Sequence, residues 1–141
     1  MKTTIPVIII MLFLISFISC EEDECKCQIN IYKSWEASDF MSIESVLYTK
    51  ENGYNPVIEF KTDGTLAFQL DANGGTGTFE ISENNSIEIA NLGWTDMCCD
   101  SEFSEKFVEM LLLVNSFSIE GNILKLFVTE WGWIELKLIS H

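Results

Sequence analysis

The chain has 141 residues, with 8 Lys, no Arg, 22 acidic side chains, one His and 5 Cys, and a formal charge of −14. That length fits one domain, and an apolar content of 48% suffices for one core. The acidic balance and absent guanidinium groups argue against a nucleic-acid partner, because phosphate binding relies on cations to displace counterions. With His141 alone at the terminus, no Ser-His-Asp or Cys-His couple can assemble.

In chain order, Lys2 precedes an apolar run over 5–18 that only Pro6 and Ser16 interrupt. About 14 residues is short of the roughly 20 needed to span a bilayer and matches a signal-peptide core. The run closes on Phe17-Ile18-Ser19-Cys20. This resembles the lipobox of bacterial lipoproteins, whose cysteine is diacylated and becomes the first mature residue; Phe17 stands where Leu is usual. The resemblance implies a signal peptide over 1–19, lipidation of Cys20, and a membrane anchor that does not cross the bilayer. The mature chain would keep 7 lysines and all 22 acids, a charge of −15. Glu21-Glu22-Asp23-Glu24 reads as a solvated tether within residues 20–26. An acidic run at that place also resembles the signal that exports some lipoproteins to the cell surface. The expected location is the cell envelope, as an outer-membrane lipoprotein with surface exposure.

Residues 27–141 carry no internal repeat or linker and read as a single domain of short strands separated by turn signals. Strands are expected over 27–35, 45–49, 57–61, 65–70, 75–81, 86–92, 116–120, 123–129 and 133–139. Asp63-Gly64, Glu83-Asn84-Asn85 and Gly121-Asn122 mark hairpins. One segment changes period: Phe103, Phe107, Met110, Leu111 and Val114 make a helical stripe over about 101–114, with Asp100 or Ser101 placed to cap it. Leu112 and Leu113 are expected to widen the buried face. The predicted fold is α+β and mostly β, an antiparallel sheet or partly open barrel of about eight strands with that one helix packed against it.

The order of motifs resembles the META domain of HslJ-like envelope lipoproteins, from Trp35 to Ile139. Trp35 matches the family's opening strand, and Pro56, Phe60, Asp63 and Gly64 match its apolar strand and Asp-Gly hairpin. Asp71-Ala72-Asn73 and Gly77-Thr78-Phe79 stand where members carry Gly-Cys-Asn and Gly-x-Tyr. Thr95-Asp96-Met97-Cys98-Cys99, followed by Glu105 and Phe107, matches Thr-x-Met-x-Cys and its helix; Gly121-Asn122, Leu124 and Leu126 complete the pattern. Ala72 stands where the family often has Cys. The resemblance implies an envelope-maintenance or stress role and brings no catalytic residues with it.

Beyond Cys20, the even set Cys25, Cys27, Cys98 and Cys99 reads as a disulfide framework in an exported protein. Bridges within each close pair would be strained, so cross-pairing is favoured. A first bridge closing roughly 70 residues would stabilise by about 4 kcal/mol. A metal site and free thiols are the alternatives, the former disfavoured because adjacent cysteines supply poor tetrahedral geometry; no metal and no cofactor are expected. Asp96 and Asp100 read as solvated loop acids or a helix cap, and Gly74-Gly75-Thr76-Gly77 as a turn or bulge. Trp131 and Trp133, two apart on an expected strand, would share a face as core or as a stacking platform for a ligand.

The function expected is a non-enzymatic, lipid-anchored envelope protein with a binding or maintenance role, its partner a protein or small molecule besides the membrane. The alternatives are an accessory structural subunit of an envelope complex, or a capturer of cationic proteins such as lytic enzymes, steered by the negative charge.

Overall fold

Apolar residues at every second position, broken by Gly and Asn turns, fold the chain into consecutive antiparallel strands whose first and last pair with each other. The structure, a computed structural model, describes residues 30–44, 47–50 and 53–140. The strands are β1 (Ser34–Ser42), β2 (Val57–Phe60), β3 (Thr65–Gln69), β4 (Gly74–Ser82), β5 (Ser86–Trp94), β6 (Val114–Glu120), β7 (Ile123–Val128) and β8 (Gly132–Leu138), with a helix α1 (Glu102–Leu111) between β5 and β6. They form a closed eight-stranded barrel in sequence order, in which β5 and β6 share a single register pair, Ser86↔Ser116.

Inward side chains alternate along each wall: Ile58 and Phe60, Leu66 and Phe68, Leu124 and Leu126, Ile134 and Leu136 are all buried. Each such side chain contributes about 1.5–3 kcal/mol by leaving water. Turn chemistry fixes the register. Gly64 sits at φ +81 in the β2–β3 turn, where the Asp63 carboxylate accepts from the Thr65 N–H (2.9 Å) and hydroxyl (2.6 Å). Those bonds hold the Asp63 carboxyl below its ordinary range. The Gly74–Gly77 run, expected as a turn or bulge, is strand with a bulge between Thr76 and Thr78. A Cβ on Gly75 would strike the Phe68 ring, and one on Gly77 the Leu92 side chain.

The two barrel ends are closed differently. At one, Trp35 is fully buried and its indole Nε1 donates to the Ile31 carbonyl at 2.9 Å. The other, where the connections after β1, β3, β5 and β7 gather, is covered by α1. Ser101 caps that helix by accepting from the Ser104 N–H, and Glu102 and Glu105 occupy its positive first turn. Phe103, Phe107, Val108, Met110 and Leu111 point into the core, where Phe103 stacks on Phe40 at 4.4 Å between centroids.

Three expectations change. The helix stops at Leu111, because a tight turn with Leu113 N–H bonded to the Met110 carbonyl (2.9 Å) delivers Val114 to β6 opposite Val128. Leu112 and Leu113 are consequently 50% and 54% exposed instead of widening the buried face. The opening strand lies at Ser34–Ser42; of the expected 27–35 strand, residues 27–29 lie outside the described residues and 30–33 are not strand, nor is the described part of 45–49. β1 reads poorly in sequence because its register against β8 slips between Ala37 and Asp39, which interrupts the alternation. The bulged Ser38 is tied down on both sides: its hydroxyl donates to the Glu135 carbonyl, and its carbonyl accepts from Lys50 Nζ at 2.8 Å.

Candidate functional site

The segment joining β5 to α1 is held to the β3–β4 turn by three side chains, Asp71, Asn73 and Asp100. Asn73, 3% exposed, uses all four of its hydrogen-bonding capacities. Its amide donates to the Met97 carbonyl (2.7 Å) and to Asp100 Oδ2 (2.6 Å), while its carbonyl accepts from the Met97 N–H (2.7 Å) and the Thr95 hydroxyl (2.9 Å). Asp100 Oδ1 in turn accepts from the backbone N–H groups of Ala72 and Asn73. Next to it, Asp71 Oδ2 accepts from the Ser101 N–H (2.7 Å) and hydroxyl (2.6 Å). Burial alone would raise the Asp71 pKa, but the hydrogen bonds from the Ser101 N–H and hydroxyl outweigh it and hold the carboxyl below its ordinary range. Asp71-Ala72-Asn73 is therefore a latch, and Ser101, not Asp100, is the helix cap. Cys99, next to the anchored Asp100, adopts φ +87, a left-handed conformation that costs a non-glycine residue of order 1 kcal/mol.

The latch holds open a cleft of about 500 Å³ between the end of β5, the 95–100 segment and the outer face of α1. Leu70, Trp94, Met97, Val108 and Leu112 give it apolar walls; Trp94 is 48% and Met97 64% exposed. Asp96, Asp100, Glu105 and Glu109 supply the charge, and among the described residues no lysine lines it. Asp100 is spent on the latch and Glu109 pairs with Lys106 at 3.2 Å. Asp96 and Glu105 remain exposed. Cys98 and Cys99 are exposed on the cleft lining. Cys20, Cys25 and Cys27, with the signal peptide and tether, lie outside the described residues.

Of the two tryptophans expected to share a face as core or as a ligand platform, Trp131 packs with the core and Trp133 does not join it. Strand pairing begins at Gly132, so alternation does not extend to Trp131, which lies in the turn before it, 8% exposed and edge-on to Phe40 at 5.8 Å. Trp133 lies on the outer wall against Phe127, with Lys125 Nζ 5.9 Å from its ring. Gly132 adopts φ +139, and the Met41 carbonyl occupies the space a Cβ would need. Lys106 lies over both Tyr48 and Trp131. Its burial would lower the ammonium pKa, but the Glu109 carboxylate and Tyr48 raise it overall.

Sequence reasoning picked out Asp96, Asp100 and the cysteines but passed over Trp94 and Leu112 as cleft walls and Asn73 as the latch. The signal for Asn73 was its place in the motif turn; Trp94 and Leu112 are joined to the cleft only by folding. Among the described residues no group of three His, Cys, Asp or Glu could hold a metal ion.

A small antiparallel barrel with one helix across its mouth defines an α+β module of the META type. The META domain profile matches residues 30–132, and the chain belongs to that family. Among solved structures, a DUF4847 family protein from Bacteroides vulgatus ATCC 8482 superposes with a TM-score of 0.57 at 17% identity, over 80% of this chain and 96% of that one. A protein from Burkholderia xenovorans gives a TM-score of 0.63 at 11% identity, over 78% and 83% of the respective chains. At such identities the likeness is one of fold. Among curated proteins, no sequence relative matches.

Proposed function

We propose that the chain is a lipid-anchored, non-catalytic binding protein of the cell envelope whose recognition surface is the cleft beside α1. The observation that carries the binding half is the exposed trio Trp94, Met97 and Leu112 gathered around one cavity. The anchor half rests on the apolar leader and Cys20. A bridge from Cys25 or Cys27 to the Cys98-Cys99 pair would tie the anchored end of the chain to the lip of the cleft. Non-reducing peptide mapping is expected to find that cross-link, and four free thiols in the mature protein would rule it out.

Two measurements test the reading. Cys20→Ser should move the protein from the detergent phase to the aqueous phase of a Triton X-114 partition; retention in the detergent phase contradicts lipidation at that residue. A photo-crosslinking amino acid at Met97, used in intact cells, should yield a discrete adduct that one at Asn122, in the far hairpin, does not. Adducts at Asn122 with none at Met97 would move the recognition surface elsewhere.

A further inference from the structure

The barrel wall is uneven. β4 and β5 pair from Ser82↔Ser86 to Gly75↔Trp94, but on its other side β5 pairs with β6 only at Ser86↔Ser116. Above that point the chain of β6 has turned back into α1, so the upper edge of β5 has no strand partner among the described residues. Asn91, Gly93 and Trp94 are exposed there, and a Cβ on Gly93 would meet nothing within 4 Å. An unpaired strand edge presents alternating N–H and C=O groups that an extended chain can satisfy; on this edge the alternation holds on either side of Asn91, which is left-handed at φ +53 where the β4–β5 register shifts. This edge ends at the cleft, since Trp94 belongs to both.

We infer that the free edge of β5 accepts an extended, lysine- or arginine-bearing polypeptide segment as an added strand, with one of its apolar side chains seated between Trp94, Met97 and Leu112. Charge complementarity selects the occupant: Asp96 and Glu105 are exposed at the cleft, Glu109 alone of the acids lining it has a lysine partner among the described residues, and the chain as a whole carries −14. An acidic strand would be repelled, whereas a basic one gains both steering and local pairing. Period-two alternation fits the geometry. Side chains on one face of the added strand reach the apolar cleft, while those on the other remain in solvent. The inference rests on the cleft being the recognition surface and specifies its partner class.

Calorimetric titration of the full chain in detergent micelles with a peptide of alternating Val and Lys tests it. The peptide should bind, and N-methylation of every second backbone amide should weaken it by about tenfold or more, because methylated amides cannot pair with the edge. Trp94→Ala should cost a similar factor, with the fold intact because this indole is half exposed. Asp96→Asn with Glu105→Gln should weaken binding by about fivefold and flatten its salt dependence. No binding, equal binding of the methylated peptide, or preference for an alternating Val and Glu peptide would overturn the inference, as would a neutral oligosaccharide binding where the peptide does not. A discrete adduct at Met97 in cells combined with any of those results sinks only the strand-addition inference; loss of that adduct sinks the binding reading as well.

Discussion

The two seams that flank the barrel's most irregular segments behave oppositely. β1 and β8 pair along their whole length, from Trp35↔Leu138 to Ser42↔Gly132, and absorb a bulge without opening. β5 and β6 share one register pair, Ser86↔Ser116, and the chain between them forms α1, with the latch and the cleft at the far end of β5. The difference lies in the connections that lead into each seam. The chain reaches β8 through a tight turn after β7, with glycine at the point of contact, whereas it reaches β6 through a helix whose apolar stripe must be covered before pairing can resume. Closure is spent on stability at the first seam, and exposed backbone is retained at the second.

The sharpest way to break the closed seam is Gly132→Val. The substitution forces a β-branched residue to φ +139 and into the Met41 carbonyl. It should cost on the order of 3 kcal/mol and lower the melting temperature by about 10 °C or more. At the open seam, Asn73→Ala removes all four latch bonds and strands the buried side of Asp100. The expected loss is about 2 kcal/mol in urea unfolding, together with faster exchange of the Met97 amide. A smaller effect is pH-dependent. The Asp71 carboxyl is lowered in the folded state, so its contribution is fully present above the ordinary unfolded value near 4 and is lost as pH falls through the lower folded one. Acid unfolding curves should steepen below about pH 4, and Asp71→Asn should flatten that slope. Smallest of all, Leu112→Ser should change stability by no more than about 0.5 kcal/mol, since half of that side chain is already in water.

Regions that obeyed a single period were legible from residue order alone. β7 and β8 alternate cleanly, the α1 stripe and its Ser101 cap follow local rules, and the glycine turns mark their hairpins. The order of these motifs also pointed to the META family that the profile match identifies. β1 escaped because the extra residue at Ser38 shifts the pattern midway. The helix end escaped because Leu112 and Leu113 are apolar yet lie beyond the stripe, and only the turn into β6 decides that they face water. The site was the least legible part. Trp131-Gly132-Trp133 looks like a platform in one dimension, but Trp131 packs against Phe40 and Trp133 against Phe127. The cleft itself joins Leu70, Trp94, Met97 and Leu112 across three elements, a proximity that residue order does not encode.

Amide hydrogen exchange, resolved residue by residue, addresses the contrast between the seams most directly. Amides on the outer edge of β5 between Ile87 and Trp94 should exchange orders of magnitude faster than those of Gly132–Leu138, and should become protected when the alternating Val and Lys peptide is added. Equal, slow exchange in both strands, or fast exchange on β5 that the peptide leaves unchanged, would contradict an open seam built to accept a strand.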